Sequence, residues 1–378
     1  AVTTGLNNDS TQKVTIIPDR FMKLYLARVE NLRDWCLSRQ IWWGHRIPIW
    51  YCRQAQNEKC RAPIVSTMAI TVCPHCGGAV EQDPDTLDTW FSSGSWTFST
   101  LGWPKKTADL KTYHPTSWMQ MGYEILYLWL MRMILMSAYA LGEIPFRKAL
   151  IHGMVRDEHG QKYSKSAGNG IDPIEIIDNY GCDALRLSLL SGNTLGNDSR
   201  FSLEKIEGAR NLVNKLWNIS RYIFALGNET VKEIKALTSA DEWILTARAE
   251  TILAVTREID DDNFSAASEI LREFSVTKFA DWYLEAAKVQ IADSVLAANT
   301  LAILRDILKS LLKLWHPFAP FVTEAIWQEA KFTGEQKLLL VAAWPETFVS
   351  DTAVRDSASA RPETFVSDTA VRDSASAR

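Results

Sequence analysis

The sequence predicts an α/β part followed by an all-α part, and three observations carry that prediction. Up to about residue 203, short apolar runs alternate with loops punctuated by Gly and Pro and with amphipathic stretches. From Leu203 to about Ala330, five stretches carry apolar residues at three- and four-residue steps, with few breakers between them. Between them in character is a cysteine-bearing segment at 52–76 that is too short of apolar residues to build its own core. A 47% apolar content over 378 residues excludes a disordered or fibrous chain.

Taken in order, residues 1–12 are small and polar and read as a linker or a truncated edge. Phe21, Leu24, Tyr25, Val29, Leu32, Trp35 and Cys36 fall at helical spacing, which predicts a helix over Phe21–Leu37 with Cys36 in its core face. Trp42 to Ser99 reads as loops, short strands and a small knuckle. A helix returns at Gly122–Leu141. Its run Ile125–Leu141 is 17 residues with one charge, Arg132, and stands at the lower limit for a membrane span. An arginine at mid-span costs about 2.5–3.5 kcal/mol, so a buried helix is expected and no membrane.

Ala149-Leu150-Ile151 predicts a buried strand leading into a polar loop, with helices at Pro173–Asn179 and Asp183–Ser191 after it. Cys182 also reads as core. The boundary between the parts is expected near 203, giving regions 13–203 and 204–344. The second is a helical bundle of Leu203–Leu226, Ala240–Ile259, Asn263–Ala287, Val295–Trp315 and Pro320–Ala330. The segment 345–361 recurs letter for letter at 362–378. Drift-free identity is unlike a structural repeat, so 345–378 reads as a disordered tail without assigned function.

Charge narrows the function classes. Lys+Arg 41 against Asp+Glu 45 leaves a net charge of -4, so any nucleic-acid surface must be local. Six cysteines are too sparse for a secreted disulfide scaffold, which points to a reducing, cytoplasmic setting.

Four constellations can carry chemistry. The loop after the predicted strand opens with His152-Gly153 and bears Lys162, Ser164, Lys165 and Ser166. Interleaved cations and hydroxyls can wrap a polyphosphate, although most Lys-Ser strings are solvated surface loops. Cys52, Cys60, Cys73 and Cys76 suit a structural Zn²⁺, because two residues between Cys73 and Cys76 let both sulfurs face one ion. The seven residues between Cys52 and Cys60 are wider than usual, and free thiols are the alternative. Glu124, Ile125 and Trp129 place an acid beside two apolar side chains four apart, an arrangement equally ordinary in a core. Arg210, Asn214, Lys215 and Asn218 form a polar helical stripe that suits phosphate contact or plain solvation.

The string KYSKS at 162–166, with HG before it and GN and IDP after it, resembles the KMSKS signature of the class I aminoacyl-tRNA synthetases. The resemblance extends through RDWCLSRQIWWGHRIPIWYC (33–52), LDTWFSSGSW (87–96), HPTSWMQMGYEILYLW (114–129), RNLVNKLWN (210–218) and HPFAPFVTEAIWQ (316–328), and is closest to the valyl branch. It implies a C-terminal part of a Rossmann-like catalytic domain with a zinc-knuckle-like insertion, followed by a helical anticodon-binding domain. It further implies ATP with Mg²⁺, with His152, Gly153 and Lys165 on the nucleotide. Lys162, Ser164, Lys165 and Ser166 would be catalytic, and Trp90, Glu124, Ile125 and Trp129 would form a valine pocket. The family usually has Asp where Glu124 stands. Arg210, Asn214, Lys215 and Asn218 would meet tRNA(Val). No HIGH-like string occurs in the sequence, and residues before 13 cannot house an editing insertion. The resemblance therefore implies either an enzyme completed by a separate HIGH-bearing half or a catalytically inactive tRNA-binding piece.

Overall fold

The computed structural model describes residues 1–54, 58–157, 159–163, 168–227, 231, 233–332 and 334–347. The chain forms two compact units: Ala1–Asn169 with Thr194–Arg200, and Gly170–Asn193 with the chain from Phe201 onward.

The first unit is built on a parallel sheet in the order Thr15–Ile17, Phe146–His152, Thr116–Gly122. Met119 and Met121 alternate inward on the edge strand, while Trp118 and Gln120 point to the open face. The inner residues join Val14, Ile16, Phe146, Ala149 and Ile151 in one core, closed by Phe21 and Tyr25. Residues 123–141 continue from the sheet as a 3-10 turn (Tyr123–Ile125), a π segment (Leu126–Leu130) and an α-helix (Met131–Leu141). Gly142, at φ 72°, ends the helix in the left-handed conformation that costs glycine nothing.

That run is the one described helix long and apolar enough to cross a membrane. The helix, expected to be buried, is buried along one face. Leu126, Leu130, Met133 and Ile134 are buried, but Leu135 and Tyr139 are 45% and 95% exposed. Arg132 has specific partners. Its guanidinium lies 4.0 Å from the Trp35 ring centre, and Nη1 donates to the Leu128 carbonyl at 2.6 Å.

The expected helix over Phe21–Leu37 ends early, at Glu30. Asn31 caps it, donating from Nδ2 to the Ala27 carbonyl at 2.8 Å. Beyond it Trp35 and Arg39 are drawn to buried Asp88, at 3.0 Å and 2.5 Å, and the chain runs extended to reach it. Cys36 is consequently exposed rather than core, and Cys182 is partly exposed at the start of its helix.

In the second unit, Pro173–Tyr180 and Cys182–Leu190 precede a bundle of Leu203–Ala225, Ser239–Asp260, Phe264–Glu273, Ala297–Trp315 and Pro320–Ala330. The helix beginning at Phe264 passes through a π segment (Phe274–Tyr283) before Leu284–Ile291 completes it. Tyr283 Oη inside that segment donates to buried Asp241 at 2.8 Å. The two helices before residue 203 pack with the bundle. Ile176 and Ala184 meet Ile206, and Leu187 enters the main helical core. The compact units divide at 169/170, with 194–200 returning to the first.

Candidate functional site

The C-terminal ends of the parallel strands gather the charged groups. In open α/β sheets this is where ligands bind, because the loops leaving the strands diverge there and leave a crevice. Gly122 ends one strand and His152 its neighbour, and the two are register partners. A Cβ on Gly122 would lie 3.5 Å from His152 Cε1 and 3.2 Å from Met154 Sδ, so a side chain here would press on the methionine beside the His152 ring. Glu124 follows Gly122 in the 3-10 turn. Lys162, returning from the loop beyond His152, sets Nζ 2.6 Å from Glu124 Oε2.

That loop is held by a carboxylate relay. Asp198 accepts from the Met154 N–H at 2.8 Å and from Arg156 Nε at 2.5 Å. The Met154 N–H foremost, and then Arg156 and Tyr123, hold the Asp198 carboxyl below the usual carboxylate range. Asp157 is lowered in the same way, chiefly by the Asn169 side-chain amide at 2.9 Å. Asn169 Nδ2 also reaches the Lys162 carbonyl at 3.3 Å. Gly153 packs closely on the Asn197 carbonyl, which leaves no room for a side chain. Ser164, Lys165 and Ser166 lie outside the described residues.

Of the apolar pocket residues, Ile125 and Trp129 stand on the 3-10 and π segments, so they do not share an α-helical face as their spacing suggests. Trp129 Nε1 donates to the Ser93 carbonyl at 3.0 Å, and its ring lies 6.3 Å from that of Trp96. Trp90 opens the same helix, Thr89–Ser99, one turn before Ser93. Asp88 caps that helix by accepting from the Trp90 N–H at 3.1 Å. Burial opposes its ionisation, yet Trp90 N–H, Trp35 and Arg39 together hold its carboxyl below the usual range. Asp88 and Ser93 were not singled out by the sequence reading. An Asp immediately before a helical run is the signal for the first, and none exists for a backbone carbonyl.

The cysteine segment is a three-stranded antiparallel sheet, with Ile49–Cys52 between Ile64–Val65 and Val80–Gln82. The short helix Glu58–Arg61 carries Cys60 back to the others, which is how the wide spacing is accommodated. The Cys73–Gly77 turn is closed by Gly77 N–H to the Cys73 carbonyl at 2.9 Å. The four Sγ atoms lie within 4.8 Å of one another, with Cys52–Cys76 at 3.6 Å and Cys60–Cys73 at 4.0 Å. A tetrahedral zinc thiolate with bonds of about 2.3 Å separates its sulfurs by about 3.8 Å, so the donor set fits Zn²⁺. The His75 N–H, then that of Cys76, pulls the Cys73 thiol down to about 7. Cys76 is pushed up to about 12: the Gly78 N–H pulls the other way, and burial and neighbouring thiols outweigh it.

In the helical unit, Asn214, Lys215 and Asn218 line a groove of about 420 Å³ between Leu203–Ala225 and the π segment. Lys215 Nζ is 2.7 Å from Asp281 across it. Arg210 does not line the groove; its guanidinium lies 6.0 Å from the Tyr180 ring centre.

The sheet, the loop at its strand ends and the helical bundle make a mixed α/β unit followed by an all-α unit. Residues 4–202 match the family model of tRNA synthetases class I (I, L, M and V), and 241–371 match the anticodon-binding domain of tRNA ligase. The chain belongs to the class I tRNA synthetases. It is 46% identical over 341 residues to the valine–tRNA ligase of Carboxydothermus hydrogenoformans, covering 89% of this chain and 38% of that protein. The Clostridium tetani valine–tRNA ligase is 45% identical over 341 residues, again 88% of this chain and 38% of the relative. The chain thus spans well under half the length of these relatives. Among solved structures it resembles the Agrobacterium radiobacter LeuRS–tRNA–LeuAMS ternary complex, with a TM-score of 0.69 and 21% identity over 87% of this chain and 45% of that one. Methionyl-tRNA synthetase of Mycobacterium tuberculosis, bound to methionyl-adenylate, gives a TM-score of 0.67 at 20% identity, over 88% of this chain and 62% of that one. At that identity, the likeness is one of fold.

Proposed function

We propose that this chain is the carboxyl-terminal portion of a cytoplasmic valine–tRNA ligase, supplying the lysine loop, the valine pocket and the tRNA-binding bundle. The observation that carries the reading is the ion pair of Glu124 and Lys162 at the end of the parallel strands. The relatives' identity supports the choice of valine. In the proposed reaction the valine carboxylate attacks the ATP α-phosphate, giving valyl-adenylate and pyrophosphate. The valyl group then passes to the terminal adenosine of tRNA(Val). Glu124 would hold the substrate ammonium, with Trp90, Ile125 and Trp129 as apolar walls. Lys162 and Lys165 would offset charge growing on the leaving pyrophosphate, an interaction worth more in the transition state than before it. Mg²⁺ would accompany the ATP phosphates, and Cys52, Cys60, Cys73 and Cys76 would hold a structural Zn²⁺.

An upstream, HIGH-bearing half is part of this proposal. Among the described residues no strand pairs with the outer edge of Thr116–Gly122, and an open edge is a template for a further strand. The test is valine-dependent pyrophosphate–ATP exchange by the chain with and without an added amino-terminal half. Exchange only with the half present is the expected result. Exchange by the chain alone would remove the need for the second half, and tRNA binding without exchange in either case would leave a non-catalytic tRNA-binding piece.

A further inference from the structure

The contact between Glu124 and Lys162 places two groups with separate proposed tasks on each other. Nζ of Lys162 is 2.6 Å from Glu124 Oε2, and the side chains are 53% and 41% exposed. Neither side chain has another hydrogen-bond partner among the described residues. The lysine backbone is fixed independently, through the Asn169 amide on its carbonyl and a bridge to Arg156. The side chain is therefore free to turn while its base stays in place. An amino-acid substrate presents the same chemical group as Lys162: a primary ammonium with three donors and one positive charge.

We propose that Glu124 is a shared anchor, holding Lys162 while the amino-acid site is empty and yielding to the substrate's α-ammonium when it fills. The inference rests on the proposed amino-acid activation at this site. Two ammonium groups on one exposed carboxylate repel, so a bound substrate weakens the hold on Lys162. The released Nζ becomes available to the nearest polyanion, the ATP phosphates. In the empty enzyme ATP must break the ion pair to recruit Lys162; in the amino-acid complex it need not. Amino acid and ATP therefore bind with positive coupling, and the coupling is reciprocal. Because the pair is half-exposed, its strength is that of a surface ion pair, which limits the coupling to about fivefold. The length of the acid matters. The methylene that distinguishes Glu124 from an aspartate is what carries the carboxylate to Lys162, so Glu124 is a positioning residue for the lysine.

The test uses the enzyme completed with its HIGH-bearing half and measures ATP affinity with and without valinol. Valinol carries the ammonium and side chain of valine but no carboxylate to react. Its des-amino counterpart, 3-methylbutan-1-ol, is the control. Valinol should tighten ATP binding about two- to fivefold, the control should not, and Glu124→Asp should abolish the coupling whatever its absolute affinities. A second readout is the acetylation rate of the Lys162 amine, mapped by mass spectrometry without ATP, which valinol should raise. Valine-dependent exchange accompanied by no change in ATP affinity and none in Lys162 labelling would overturn the shared anchor and leave the proposed ligase activity standing. Absence of valine-dependent exchange in the completed enzyme would overturn both.

Discussion

Trp129 donates its indole N–H to the carbonyl of Ser93 at 3.0 Å, joining the π segment to the middle of the helix that Trp90 opens. This bond sets the orientation of the Trp129 ring, one wall of the proposed pocket, from a helix 36 residues away in sequence. Trp129→Phe keeps an aromatic ring but removes the donor, leaving the Ser93 carbonyl only its partner within the helix. It should lower stability by about 1 kcal/mol in urea unfolding. In the completed enzyme it should raise the valine KM more than it lowers kcat. Unchanged KM would mean that the indole orientation is irrelevant to the pocket.

Much of this arrangement was legible in the sequence, and the reasons for the misses are physical. Helices with long apolar stripes, such as Ala297–Trp315 and Pro320–Ala330, begin or end where their periodicity and breakers indicate. The helix from Arg20 to Glu30 was overextended because Trp35 obeys helical spacing by coincidence; its indole is claimed by Asp88, 53 residues away. The pocket spacing misled for a related reason. Ile125 and Trp129 are four apart in sequence, but 3-10 and π turns rotate side chains differently from an α-helix. Lys162 was legible as a loop cation, but its pairing with Glu124 is tertiary and has no local signature.

The cysteine cluster should bind one Zn²⁺ per chain, measured by elemental analysis of the purified protein. Cys76→Ser should release it and lower the thermal midpoint, because metal binding to a site formed only on folding adds directly to stability. A metal-free wild-type chain with four titratable thiols and an unaltered melt in Cys76→Ser would sink the assignment.

Acid should loosen the loop that carries Lys162. Asp198 and Asp157 have folded pKa values below their unfolded ones, so their contribution is present above the unfolded value, near 3.9, and is lost as pH falls through the folded values. Thermal midpoints should therefore hold steady from about pH 7 to 5 and fall as carboxylates protonate below about 4. Asp198→Asn should lower the neutral midpoint and shallow that acid limb. An equally steep limb in the variant would assign the acid sensitivity elsewhere.

Lys162→Ala in the completed enzyme should reduce the rate of adenylate formation about 10²–10³-fold, the range for removing one transition-state charge stabiliser. The change should appear mainly in kcat, with a rise in the KM for ATP of no more than about fivefold. Single-turnover measurement separates the two, and a pure KM effect would place the lysine in ground-state binding.

In the helical groove, Lys215→Ala should weaken tRNA(Val) binding and reduce the salt dependence. A lysine that neutralises one phosphate contributes roughly 0.7–0.9 to the slope of log K against log salt. Asn218→Ala should weaken binding while leaving that slope intact, since a carboxamide releases no counterion. Identical slopes for wild type and Lys215→Ala would show that the pairing with Asp281 persists on RNA.

The bare edge of Thr116–Gly122 has a consequence for the chain on its own. The backbone N–H and C=O groups of this strand that face away from Phe146–His152, flanked by outward Trp118, form a template for any extended peptide, including a second copy of itself. Natural sheets blunt such edges with charge, proline or a covering element, and TSWMQMG has no charge and no proline. Made without a companion strand, the chain would meet the hazards of self-association and chaperone capture before it met any substrate. An edge open to a partner strand is equally open to a second copy of the chain, so self-association would rise with concentration.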